Sequence, residues 1–106
     1  MAVININKLD LINLISEYTD GFGSPSLTIC VDVDGDIDAR YNSERNEDWM
    51  PILSLLRMRD FVDANNNMPG SDAYDSQQVA KRIVDEKELL ILNASLNGVA
   101  YNFALI

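Results

Sequence analysis

Carboxylates are the side chains that this chain repeats at a regular spacing. In Asp32-Val33-Asp34-Gly35-Asp36-Ile37-Asp38 an aspartate falls on every second residue. Such a run can ligate a cation, supply an acid–base pair, or present fixed charge to a basic partner. The cation reading fails on spacing. An EF-hand loop needs acidic ligands at its first, third and fifth positions, glycine at the sixth and glutamate at the twelfth. Counting from Asp32 puts Ile37 sixth and Ser43 twelfth. Counting from Cys30 places Gly35 correctly, but the first ligand becomes a thiol and the twelfth residue is Tyr41. The acid–base reading needs a pocket that raises one carboxyl pKa, and a strand face of Asp, Thr and Arg is solvated.

Other chemistry finds even less. The single cysteine, Cys30, has no base to activate it, because the chain contains no histidine. It reads as a semi-buried strand residue. Gly21-Phe22-Gly23 follows a helix, not a strand, and no phosphate-loop motif accompanies it. The expectation is a non-enzyme with no catalytic residue, no metal ligand and no cofactor.

What remains is the display of charge. The chain has 17 acidic residues against 8 basic ones, a net charge of −9 and a pI near 4.1. Acidity of this order also serves solubility. It disfavours direct contact with nucleic acid or an anionic membrane and suits a basic protein, such as a nuclease or other nucleic-acid-binding effector. The expected binding residues are Asp32, Asp34, Asp36 and Asp38, with Glu44, Glu47 and Asp48 behind them. Aspartates two apart on a strand are separated by about 6.6–7 Å, close to the phosphate spacing of one nucleic-acid strand.

The elements that position these residues follow from periodicity. Val3 to Ile6 form a short extended lead-in. Asn7 caps a helix over Lys8 to Thr19, whose apolar stripe is Leu11, Ile12, Leu14, Ile15 and Tyr18. A hairpin follows. A three-residue loop, Asp34-Gly35-Asp36, pairs Val33 with Ile37, Val31 with Ala39 and Ile29 with Tyr41, which keeps the faces clean and sets Asp32 opposite Asp38. Like charges so placed cost stability, which a binding role would explain.

Asn46 or Asp48 caps a second helix running to about Ala64, with an apolar face from Trp49 through Ile52, Leu53, Leu55, Leu56 and Phe61 to Val62. Arg57, Arg59, Asp60 and Asp63 form its solvated flank. Trp49 reads as core before partner anchor. Asn65 to Ser71 is a loop, and Asp75 or Ser76 opens a third helix carrying Val79, Ala80, Ile83 and Val84. Asn97-Gly98 marks a hairpin that pairs Leu96 with Val99, Ala94 with Tyr101, Leu92 with Phe103 and Leu90 with Leu105. The alternative continues the third helix through Leu89 to Leu96. The order is α-β-β-α-α-β-β, an α+β fold in which antiparallel hairpins form a sheet packed by three helices, a single domain over residues 1–106.

With no signal peptide and no apolar run of membrane-spanning length, the expected location is cytoplasmic. In size, charge and element order the chain resembles small phage-encoded anti-CRISPR proteins, a likeness that implies an inhibitor acting by nucleic-acid mimicry. An immunity protein or antitoxin against a basic nuclease toxin fits the same electrostatics. An assembly protein is the third reading, forming a homodimer through the uncharged C-terminal strand Tyr101 to Ile106.

Overall fold

Three separate sheets organise the described residues, two built from strands near in sequence and one joining strands almost a hundred residues apart. The computed structural model describes residues 3–20, 27–40, 49–55, 58–92, 95–96, 99–100 and 102–106. The fold is α+β, with a three-stranded antiparallel sheet, a two-stranded parallel sheet, a short two-stranded antiparallel pair and two α-helices among the described residues.

β1 (Val3–Ile6) alternates as its sequence suggests: Ile4 and Ile6 are buried, while Val3 and Asn5 face outward. Its partner is β7 (Asn102–Leu105), in parallel, with Ile4 opposite Phe103 and Ile6 opposite Leu105. Ile106 N–H donates to the Ile6 carbonyl at 2.9 Å, and Lys8 N–H to the Ile106 carbonyl at 2.8 Å, so the ladder runs straight into α1. Phe103 and Leu105 therefore do not pair with Leu92 and Leu90.

α1 (Lys8–Asp20) is capped as expected. Asp10 N–H donates to the Asn7 side-chain oxygen at 2.9 Å, which satisfies one of the amides a helix start leaves open. Leu11, Ile12 and Ile15 are buried, and Leu14 and Tyr18 pack at the rim. α2 (Ser76–Leu92) opens at Asp75, whose carboxylate accepts Gln78 N–H at 3.1 Å. Val79, Ala80, Ile83, Val84 and Ile91 form its buried stripe. The helices run antiparallel: Lys8 pairs with Asp85 at 3.2 Å, and Ser16 and Ser76 hydroxyls share a 2.8 Å hydrogen bond.

α2 reaches Leu92, so the strand expected from residue 89 is corrected. Ile91 lies seven residues beyond Val84, on the same helical stripe. Leu89 and Leu90 face solvent, at 75% and 62% exposure, and Leu90 and Leu92, two residues apart and in line with Leu96, imitated strand alternation. The expected pairing at the turn is present: β5 (Ser95–Leu96) and β6 (Val99–Ala100) pair antiparallel with Leu96 opposite Val99. Asn97 and Gly98 lie outside the described residues, as do Asn93, Ala94 and Tyr101.

The larger correction is the second helix. Met50–Leu55 is a strand, β4, followed by a 3-10 turn at Met58–Phe61. With β2 (Leu27–Val31) and β3 (Ile37–Arg40) it forms the sheet β3-β2-β4. The ladder sets Leu53 opposite Ile29 but Pro51 opposite Cys30, so Ile52 is an extra residue in a β-bulge. The bulge changes the parity of the strand, and Met50, Ile52, Leu53 and Leu55 are all buried. Without knowledge of the bulge, that spacing imitates a helical face. Pro51 is tolerated because β4 is an edge strand of its sheet. The core gathers Ile29 and Val31 from β2, Leu53 and Leu55 from β4, Leu11 and Ile15 from α1, Val79 and Ile83 from α2, and Phe61.

Candidate functional site

The acidic hairpin forms, with a register two residues away from the expected one. Val31 pairs with Ile37, Ile29 with Ala39 and Cys30 with Asp38. A shift of two preserves which residues share a face, so hydrophobic alternation alone does not decide between the two registers. The turn decides. Gly35 N–H donates to the Asp32 carbonyl at 3.1 Å, closing a turn with Val33 and Asp34 at its centre. Asp32 N–H donates to the Asp36 carbonyl at 3.0 Å. The loop is thus Val33-Asp34-Gly35, and Asp32 faces Asp36, not Asp38.

Gly35 has φ +90°, a left-handed value that costs glycine little. A Cβ there would also collide with the backbone carbonyl of Asn5 in β1. The tip therefore rests against the terminal ladder, and no larger residue fits the position.

The four aspartates divide by role. Asp32 is half-buried and internal to the turn: its carboxylate accepts Asp34 N–H at 3.0 Å and Asp36 N–H at 2.9 Å. Asp34 and Asp36 are exposed at the tip. Asp38 is half-buried on β3, and its carboxylate accepts Ala39 N–H at 2.9 Å. Glu44, Glu47 and Asp48 lie outside the described residues. The expected contiguous row is therefore an exposed pair, Asp34 and Asp36, on a turn that Asp32 holds together.

A second carboxylate matters, and the sequence reading placed it wrongly. Asp63 was expected on a solvated flank; it is 4% exposed. One oxygen accepts Asn65 N–H at 2.9 Å and Asn67 N–H at 2.8 Å. The other accepts the Asn67 side-chain amide at 3.1 Å and Asp75 N–H at 3.4 Å. Burial pushes its pKa up, and the donors from Asn67, Asn65 and Asp75 together outweigh burial, so the carboxyl titrates below its ordinary 3.8. The signal that would have revealed it is a shared pattern. Asp32-Val33-Asp34-Gly35-Asp36 and Asp63-Ala64-Asn65-Asn66-Asn67 both read Asp-x-Asp/Asn-Gly/Asn-Asp/Asn.

Among the described residues no group of three or more His, Cys, Asp or Glu is arranged to hold a metal ion. Cys30 is buried, and Trp49 is half-buried at the entry to β4. A groove of about 220 Å³ lies between Leu55, Asp60, Arg82, Ile83, Glu86 and Lys87. Its guanidinium is committed to the protein's own backbone, because Arg82 donates to the Val62 and Asp60 carbonyls, each at 2.6 Å. Among the described residues no helix is long and apolar enough to cross a membrane. No protein-family model, curated protein or solved structure matches the chain.

Proposed function

We propose that this chain is a small acidic inhibitor that binds a basic, nucleic-acid-binding protein through its Asp32–Asp38 hairpin. The reading is of a binder, not an enzyme, acting by nucleic-acid mimicry in the manner of an anti-CRISPR or other anti-defence protein. One observation carries it: Asp34 and Asp36 are exposed on a turn that Asp32 and Gly35 hold in one shape. Charge fixed before encounter loses little conformational freedom on binding, and complementary charge speeds association. Glu44, Glu47 and Asp48 are the further acidic residues expected to take part in this reading.

The electrostatics serve equally an immunity protein or antitoxin that neutralises a basic nuclease. A toxin gene beside this one favours that reading, and phage or CRISPR-adjacent genes favour the first. Assembly through the C-terminal strand has weaker support, since β7 already gives one of its two edges to β1.

The test begins with affinity capture from host and phage-defence lysates, followed by binding kinetics on the captured protein. Converting Asp34 to Ser and Asp36 to Asn removes two charges and leaves Asp32 and Gly35 to keep the turn. Association with the partner should slow about tenfold at low salt. Wild-type binding should weaken as salt rises, and nucleic acid should compete for the partner. Unchanged association for the double variant at low and physiological salt would exclude the hairpin as the binding face.

A further inference from the structure

Asp34–Gly35 is the aspartyl–glycyl bond of the hairpin, and it lies at the exposed tip. Such a bond has a well-defined side reaction. The amide nitrogen of the glycine attacks the aspartate Cγ, and the N–Cγ bond forms. The nitrogen loses its proton and the carboxyl loses its hydroxyl, together one water. Water then opens the resulting succinimide. Cleaving the new N–Cγ bond restores aspartate. Cleaving the original main-chain bond leaves isoaspartate, in which the chain runs through Cγ with no net change of mass. Glycine favours the reaction because no side chain hinders the nitrogen. Asp32, Asp36 and Asp38 precede Val33, Ile37 and Ala39, whose side chains do hinder it.

Exposure would ordinarily leave a hairpin-tip bond of this kind reactive. Here the attacking nitrogen is engaged. Gly35 N–H donates to the Asp32 carbonyl at 3.1 Å. The Asp34 and Asp36 amides on either side are held by the Asp32 carboxylate. The Asn5 carbonyl also occupies the place a Cβ of residue 35 would take, so the turn has a neighbour close on that side. We propose that Asp34–Gly35 is a latent isomerisation site that the closed hairpin keeps silent, with the Asp32 carboxylate as its latch. Each opening of the turn exposes the bond to a change that does not reverse on closing. The added backbone methylene of isoaspartate would displace the Asp34 carboxylate and remove the fit of Gly35 beneath Asn5. The latch acts whatever the hairpin binds.

The test ages the intact protein at neutral pH in buffer and, separately, unfolded in guanidinium chloride. Peptide mapping with fragmentation that distinguishes isoaspartate reads residue 34. If reaction requires opening, the folded protein should accumulate isoaspartate at least about tenfold more slowly. Equal rates in the two states would overturn the proposal, and this comparison needs no variant. Asp32→Asn keeps an acceptor oxygen and should stay slow. Asp32→Ala, checked for retained helix by circular dichroism, should move toward the unfolded rate. A folded Asp32→Ala protein as slow as wild type would remove Asp32 from the role of latch.

Discussion

The loops headed by Asp32 and Asp63 are the same five-residue knot built in two environments. In each, the first and fifth residues close the loop, Asp32 N–H to Asp36 carbonyl and Asp63 N–H to Asn67 carbonyl. In each, the fourth residue's N–H returns to the first carbonyl, and one carboxylate oxygen takes the amides two and four residues on. Both fourth residues are left-handed, Gly35 at φ +90° and Asn66 at φ 63°. The surroundings differ. The first knot turns a hairpin, with its heading aspartate half-buried. The second buries its heading aspartate and also reaches Asp75, the residue that caps α2. One backbone solution thus serves display in one place and internal anchoring in the other. What separates them is how many extra donors the heading carboxylate collects.

The strongest way to break this equivalence is at the fourth position. Gly35→Ala introduces left-handed strain and a clash with the Asn5 carbonyl, and should cost about 2–5 kcal/mol by chemical denaturation. Asn66 is exposed and already carries a Cβ in this conformation, so Asn66→Ala should cost only about 1 kcal/mol. Similar losses for both would mean that the docking of Gly35 on β1 contributes little.

The heading aspartates come next. Asp63→Ala removes acceptors from Asn65, Asn67 and Asp75 in a buried site, and should lower Tm by roughly 10 °C. Asp32→Ala, with fewer donors and more water, should lower it by roughly half as much. Helical circular dichroism sharpens the contrast, since only the Asp63 variant should loosen the first turn of α2.

A smaller effect concerns pH. The folded carboxyl of Asp63 titrates below 3.8, so its contribution is present above that value and is lost as pH falls through the folded pKa. Wild type should therefore lose more Tm than Asp63→Asn between about pH 5 and pH 2. Parallel acid profiles would show that the four donors do not favour the ionised form. The smallest expected effect is Asn66→Gly, within about 0.5 kcal/mol of wild type, because both residues accept the left-handed region.

Much of the fold was legible where the deciding signals are local. Asn7 and Asp75 cap their helices through their own side chains, and the Asn97-Gly98 signal set the pairing of Leu96 with Val99. β4 was illegible because one extra residue, Ile52, erases strand alternation. The β1–β7 ladder was illegible because no turn joins its strands and its register depends on contacts formed by nearly the whole chain. At the candidate site, the aspartate run and its strand–turn setting were legible. The division of labour within it was not, because alternation tolerates a shift of two residues and turn hydrogen bonds do not.

That terminal ladder also sets a timetable. During synthesis, Val3–Ile6 emerges first, and its partner Asn102–Leu105 emerges nearly a hundred residues later. At typical elongation rates of about 5–20 residues per second, β1 waits roughly 5–20 s for its ladder. Closing so long a segment is slow, because its entropy is lost before the pairing returns any energy. The carbonyl of Asn5 gains its ladder only once β7 has been made, and with it the seat of Gly35 is completed. A newly made chain therefore carries its acidic tip, and the strand on which that tip rests, before it has the strand that pairs with that support.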